Sequence, residues 1–213
     1  MAEPALRMRG VRKTYGRRPV LQAIDVEVAA GETVALLGAN GSGKTTLLRV
    51  AATLARPDTG DVAVAGANAL KEPEQARARL SVLTQEAPLY PELTATEHLR
   101  WWARAQGLPS PGTGRILAEA GLARAADQPA RSLSRGTRQR LALCMALLPD
   151  RPLLVLDEPF TALDDEGTHW LQEELRERSR RGQAVLLSAH GAAEAQQVAR
   201  RLVRLRDGAL EAR

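Results

Sequence analysis

Thr33-Val34-Ala35-Leu36-Leu37 runs directly into Gly38-Ala39-Asn40-Gly41-Ser42-Gly43-Lys44-Thr45-Thr46, and this junction decides the fold. The first five residues read as a short buried strand that stops at glycine. The next stretch fits the spacing G-x-x-x-x-G-K-[ST], and helical spacing resumes from Gly43 through Thr53. Strand, glycine loop and helix in that order are what a polyphosphate needs. Glycines let backbone N–H groups come close without a Cβ in the way, and the helix start adds a favourable dipole. The candidate phosphate-binding residues are therefore Gly38, Ala39, Asn40, Gly41, Ser42, Gly43, Lys44, Thr45 and Thr46. In this pattern Lys44 reaches the β- and γ-phosphates and the Thr45 hydroxyl is a ligand of Mg²⁺. A glycine-rich turn with an exposed lysine is the competing reading, and the flanking strand and helix count against it.

A second apolar run, Leu153-Leu154-Val155-Leu156, ends in Asp157-Glu158-Pro159. In an open α/β sheet ligands collect beyond the carboxyl ends of the strands, so this acidic pair is expected in the same crevice as the loop. Asp157 is assigned to Mg²⁺, through water, and Glu158 to the attacking water as general base.

Working outward, Val20 to Val28 alternates as a strand, and Pro57-Asp58-Thr59-Gly60 is a turn expected to lead into an edge strand, Asp61 to Gly66. Leu80 to Leu83 and Ala184 to Leu187 are further short apolar runs. Thr94 to about Leu148 is mainly helical, broken at Gly107 to Gly114 and near Asp127 to Leu133; Asp165 to Arg181 and Gly191 to Arg201 also read as helices. Alternating strands and helices predict a parallel sheet covered on both faces, in one compact α/β unit with a helical insertion in its middle.

The 213 residues carry 30 Lys plus Arg against 25 Asp plus Glu, a formal charge of +5. Lysine occurs only at Lys13, Lys44 and Lys71, so the cations are nearly all arginines, scattered from Arg7 to Arg213. With few aromatics and no basic stripe, a solvated arginine surface is expected and no nucleic-acid partner. Cys144 is the single cysteine and excludes an internal disulfide, which favours a reducing, cytoplasmic setting. No secretory start is visible, and no uncharged apolar stretch approaches the ~18 residues of a membrane span.

The remaining motifs resemble the ATP-binding-cassette ATPases over nearly the whole chain. Leu133-Ser134-Arg135-Gly136-Thr137-Arg138-Gln139-Arg140 is similar to that family's signature, L-S-G-G-Q followed by a basic helix start. Gln85 resembles the Q-loop glutamine, Thr161-Ala162-Leu163-Asp164 the D-loop, His190 the switch histidine and Tyr15 the aromatic A-loop residue. The resemblance implies a P-loop NTPase core with a parallel sheet, an N-terminal antiparallel β subdomain and an inserted helical subdomain at about 87–150, all one domain over 1–213. It implies ATP and Mg²⁺ as ligands, with Tyr15 stacked on adenine, Gln85 near Mg²⁺ in both a catalytic and a metal role, and His190 sensing the γ-phosphate. Ser134 and Gly136 then bind the γ-phosphate held by a second ATPase subunit, so a homodimer is expected, attached to integral membrane subunits at the inner face of the cell membrane. Arg135 and Thr137 depart from the signature, where the family has glycine and glutamine.

Trp101 and Trp102 are adjacent on a helix and point about 100° apart, so one is expected to face a partner. Ala87-Pro88-Leu89-Tyr90-Pro91 lies where the family receives a short helix from its membrane subunit, with ordinary packing the alternative. The short chain and Pro159-Phe160-Thr161 are similar to ATPase subunits of haem exporters in cytochrome c maturation. The alternatives are an exporter of another cargo, such as a drug or lipid, and a soluble ATPase acting on DNA or ribosomes. The last usually carries a long coiled-coil insertion or two cassettes, and neither is present in this sequence.

Overall fold

The computed structural model describes residues 3–85, 89–109 and 112–211. Two sheets organise them. β1 (Leu6–Tyr15), β2 (Arg18–Val28), β4 (Thr59–Val64) and β5 (Ala67–Asn68) form an antiparallel sheet in the order β2-β1-β4-β5. β4 therefore lies inside this sheet, against the edge position expected of it, although its outer neighbour is only two residues long. The second sheet runs β10-β9-β3-β8-β7-β6, from β3 (Thr33–Leu37), β6 (Leu80–Leu83), β7 (Leu153–Leu156), β8 (Ala184–Ala189), β9 (Arg201–Arg206) and β10 (Ala209–Leu210). All its pairings are parallel except β10 on β9.

Burial on both faces explains the continuous apolar runs of the central strands. Val34, Leu36, Leu153, Val155, Ala184 and Leu186 enter a core shared with the antiparallel sheet and α1 (Lys44–Ala51). Their alternates Ala35, Leu37, Leu154, Leu156, Val185 and Leu187 enter a second core under α5 (Arg135–Leu147), α6 (Asp165–Arg180) and α7 (Ala192–Gln196). The period of two thus divides each strand between two layers.

Between β6 and β7 the chain is helical: α3 (Ala95–Ala105), α4 (Thr113–Glu119) and α5, with two 3-10 turns between α4 and α5. They share a third core of Leu99, Leu117, Leu122, Leu141, Cys144 and Met145. Thr94 and Glu97 form a reciprocal capping box that starts α3. The expected boundary at 87 and two members of the expected socket, Ala87 and Pro88, lie outside the described residues. Of the rest of that loop, the Tyr90 N–H donates to His98 Nε2 at 2.9 Å, and the Tyr90 ring meets Trp101 edge-on with centroids 5.0 Å apart. Trp101 is exposed; Trp102 is partly buried, and its indole N–H has no hydrogen-bond partner among the described residues.

The helix expected over Gly191 to Arg201 ends early. Only Ala192–Gln196 is helical, and Arg201–Arg206 is strand β9, paired parallel with β3. Another helix, α2 (Pro73–Ala78), and strand β1 were not anticipated.

Candidate functional site

The loop between β3 and α1 is pinned at its two ends. A Cβ on Gly38 would collide with the Leu205 carbonyl oxygen, and one on Gly43 would stand 2.8 Å from the Val20 carbonyl oxygen. Gly43 also has φ of 108°, a conformation costly to any other residue. It is the N-cap of α1 and supplies no side-chain acceptor, and the first turn contains no acidic residue. The leading amides of α1 are therefore open to an anion. Lys44 is only 5% exposed and donates its ammonium to the carbonyl oxygens of Gly38 at 2.7 Å and Ala39 at 3.2 Å. The lysine thus braces the loop it belongs to, with its charge beneath the same concave turn.

Beyond the end of β7, Asp157 is 5% exposed and accepts a hydrogen bond from the Ser188 hydroxyl at 2.6 Å. Glu158 adopts φ of 51°, a left-handed conformation that costs a non-glycine residue about 1–3 kcal/mol. Its backbone N–H donates to Ser188 Oγ at 2.8 Å. Its carboxylate meets His190 Nε2 at 2.8 Å, with the imidazole half exposed and the carboxylate largely covered. One cavity of about 500 Å³ is lined by Asn40, Gly41, Gly43, Lys44, Thr45, Thr46, Gln85, Glu158 and His190, so loop, acidic strand end and histidine converge. A neighbouring cavity of about 350 Å³ joins Thr45, Gln85 and Asp157.

The other candidates are placed apart from this cluster. Ser134 is exposed and caps α5, its hydroxyl accepting the Thr137 N–H at 3.1 Å. The hydroxyl of Thr137, one of the two signature departures, is 2.8 Å from Ser134 Oγ, so the motif is braced from within. A Cβ on Gly136 would lie 2.7 Å from the Ala162 carbonyl oxygen, which ties this glycine to the loop 161–164 of its own chain. Arg135 is exposed and lines a third cavity, of about 460 Å³, with Gln85, Asp157, Glu158 and Ala162. Tyr15 is 48% exposed with the Lys13 ammonium 5.4 Å from its ring centre. It does not line the phosphate-loop cavity; Arg18, which pairs with it across the hairpin, does.

The sequence assigns no role to Ser188 or Arg18, and Arg140 stands in it only as part of the basic start that follows the signature. Arg140 is buried, donates to the Ala120 carbonyl oxygen at 3.0 Å and forms an ion pair with Asp164. Asp164 is held below the ordinary carboxyl range by the Gly167 N–H and then by Arg140. A Cβ on Gly121 or Gly167 would run into the guanidinium, so both backbones are shaped around it. The sequence signal was a cation directly before an unbroken buried run, Leu141 to Leu147. Cys144 is 2% exposed and desolvation pushes its thiol up to about 12, so it stays a neutral core group.

Known proteins resemble this chain in sequence and fold. The sequence profile of the ABC transporter family matches residues 21–161. The chain is 37% identical over 202 residues to a Nod factor export ATP-binding protein I of Ralstonia nicotianae, covering 92% of this chain but only 62% of that protein. It is 38% identical over 190 residues to the cytochrome c biogenesis ATP-binding export protein CcmA of Hyphomonas neptunium, covering 89% of this chain and 92% of that one. A solved ATP-binding subunit of an ABC transporter superposes with a TM-score of 0.90 at 32% identity, over 98% of this chain and 88% of the other. A dimeric ATP-binding cassette in a post-hydrolysis state bound to ADP and Pi gives 0.87 at 25% identity, over 97% of each chain. The matched profile, these relatives and the convergent loop and acidic strand end lead to one conclusion: the chain belongs to the ABC transporter family, as one of its ATPase domains.

Proposed function

We propose that the chain binds ATP with Mg²⁺ and hydrolyses it in a homodimer, driving an export transporter from the cytoplasmic face of the cell membrane. The observation that carries this reading is the cavity where Lys44, Thr45, Gln85, Glu158 and His190 meet. Residues 38–46 hold the phosphates, Tyr15 stacks on the adenine, and Ser134 and Gly136 of a second copy close over the γ-phosphate. The dimeric cassette among the solved relatives supports that pairing. The whole of 1–213 acts as one ATPase unit whose helical part, at about 87–150, faces the membrane subunits. Exposed Trp101 and Tyr90 mark the surface they would use. Among the described residues no helix is long and apolar enough to cross a membrane, so the pathway itself is assigned to those subunits.

Glu158 takes the proton of the attacking water as the water oxygen bonds the γ-phosphorus. The bond to the bridging oxygen breaks and ADP leaves with that electron pair, its charge countered by Lys44. Among the described residues no group of three or more His, Cys, Asp or Glu could by itself hold a metal. Thr45, Asp157 and Gln85 line one cavity with a hydroxyl, a carboxylate and an amide oxygen, a donor set that fits a cation taking its other ligands from nucleotide and water, as Mg²⁺ does. Mg²⁺ supplies charge neutralisation on the phosphate oxygens. His190 now spends its Nε2–H on Glu158, so contact from that nitrogen to a γ-phosphate requires exchange of one partner for the other.

The cargo is chosen by the membrane subunits. Phe160-Thr161 supports haem export for cytochrome c maturation, and CcmA is among the relatives. A Nod factor exporter matches at nearly the same identity, and co-purification with the membrane subunits separates these cargoes. Glu158→Gln tests the catalytic reading. Phosphate release should fall by about 100-fold or more while ATP binding persists and the dimer accumulates. Parental turnover in this variant would remove Glu158 from the role of base.

A further inference from the structure

The acidic strand end rests on a side chain from the neighbouring strand. β7 and β8 run parallel with Leu156 beside Leu187, so the next step brings residue 157 beside residue 188. Alternation sends Leu187 and Ala189 into the core under α5, α6 and α7 and turns Ser188 to the opposite face, the one Val155 and Leu186 share with α1. Ser188 is completely buried there.

Its hydrogen bonds have only one consistent direction. The Glu158 N–H can only donate, so Ser188 Oγ accepts it at 2.8 Å. The single hydroxyl proton then goes to Asp157 Oδ1 at 2.6 Å. One hydroxyl thereby fixes the rotation of the Asp157 carboxylate and satisfies the amide of Glu158, whose left-handed φ of 51° turns it out of the extended strand. These are the two residues whose placement the chemistry depends on.

We infer that Ser188 is a positioning residue of the ATPase site, presenting Asp157 to the cation and holding the Glu158 backbone so that its carboxylate meets His190. The inference rests on the assignment of Asp157 to the cation and Glu158 to the water. It deepens that reading by naming what holds the pair in register. A purely apolar residue would fit the layer, as Val155 and Leu186 do, but would leave one lone pair of a buried carboxylate and one partly buried N–H without this partner.

The test compares the full-length parent with Ser188→Ala, Ser188→Thr and Asp157→Asn in three measurements. The first is binding of Mn²⁺, followed by its electron paramagnetic resonance signal in the presence of a non-hydrolysable ATP analogue. The second is affinity for a fluorescent ATP analogue in EDTA. The third is kcat and KM for ATP at saturating Mg²⁺. In Ser188→Ala, Mn²⁺ affinity and kcat should each fall about 10- to 100-fold. Metal-free nucleotide affinity should stay at the parental level, because the phosphate loop is untouched, whereas KM for ATP at saturating Mg²⁺ should rise, because weaker metal binding to the protein–nucleotide complex weakens binding of the metal–nucleotide complex by the same factor. Ser188→Thr keeps the hydroxyl on a β-branched side chain suited to a strand and should restore both quantities. Parental Mn²⁺ affinity and kcat in Ser188→Ala, with Asp157→Asn impaired, would overturn the role of the serine alone. Equal loss of metal-free nucleotide affinity would reduce Ser188 to a packing residue. Unchanged Mn²⁺ affinity in Asp157→Asn would overturn the underlying assignment of the aspartate.

Discussion

The phosphate loop and the signature segment are built on opposite principles. Around the loop, the protein closes on itself: Gly38 and Gly43 sit against backbone carbonyls, Lys44 is buried on two more, and Asp157 is held by Ser188. At the start of α5, Ser134 and Arg135 face solvent, and no described residue of the phosphate loop lines the cavity beside Arg135. One region is closed within the chain and the other is a helix end facing solvent. The difference teaches what the proposed function demands: with the phosphate loop closed within its own chain and Ser134 turned to solvent, the signature would meet the phosphates of a second copy, and a single chain should hydrolyse little alone.

Breaking the closed region should give the larger effect. Lys44→Ala removes a charged donor from the phosphate site, where such hydrogen bonds are worth about 1.5–3 kcal/mol, so nucleotide affinity should weaken by about 10- to 100-fold. Equilibrium titration with a fluorescent ATP analogue reads this directly. Affinity at the parental level would detach Lys44 from the phosphates and leave it only its brace on Gly38 and Ala39.

A smaller effect sharpens the other side. Helix propensity alone favours Gly136→Ala by about 1 kcal/mol, whereas overpacking against fixed backbone costs about 1–3 kcal/mol. The Ala162 carbonyl oxygen, 2.7 Å from the added Cβ, belongs to a residue already at φ of 64° and has little room to yield. Urea unfolding of Gly136→Ala should therefore show a net loss of stability. A gain would mean that Gly136 is needed only for what approaches from outside the chain.

Legibility in the sequence followed how local each cause is. β3, β7 and β8 were readable because both of their faces are buried, leaving unbroken apolar runs. β1 was not, because Gly10 at φ of 58° and the register shifts after Met8 break its alternation: Leu6 and Met8 are buried, and then Val11. β9 has no sequence-level expectation behind it, since the helix expected over Gly191 to Arg201 meets it at Arg201 alone; arginines at 201, 204 and 206 interrupt its apolar residues, and pairing with β3 makes the stretch extended. The phosphate loop and the acidic pair are contiguous motifs. Ser188 reaches Asp157 from another strand, and Arg140 reaches Asp164 and Ala120 across helices, so the sequence around each residue does not name its partners, although the cation before the buried run Leu141 to Leu147 marks Arg140 itself.

The central claim is that each complete site takes its phosphate loop from one copy and its signature from another. Mixing two inactive variants tests it most directly. Lys44→Ala has a damaged loop and an intact signature, and Ser134→Arg has the reverse. A heterodimer of the two rebuilds one intact site from Lys44 of one copy and Ser134 of the other. ATPase activity of the mixture is predicted to rise well above the sum of the separate variants and to depend on protein concentration. Activity equal to that sum at every ratio and concentration would contradict a site shared between two copies.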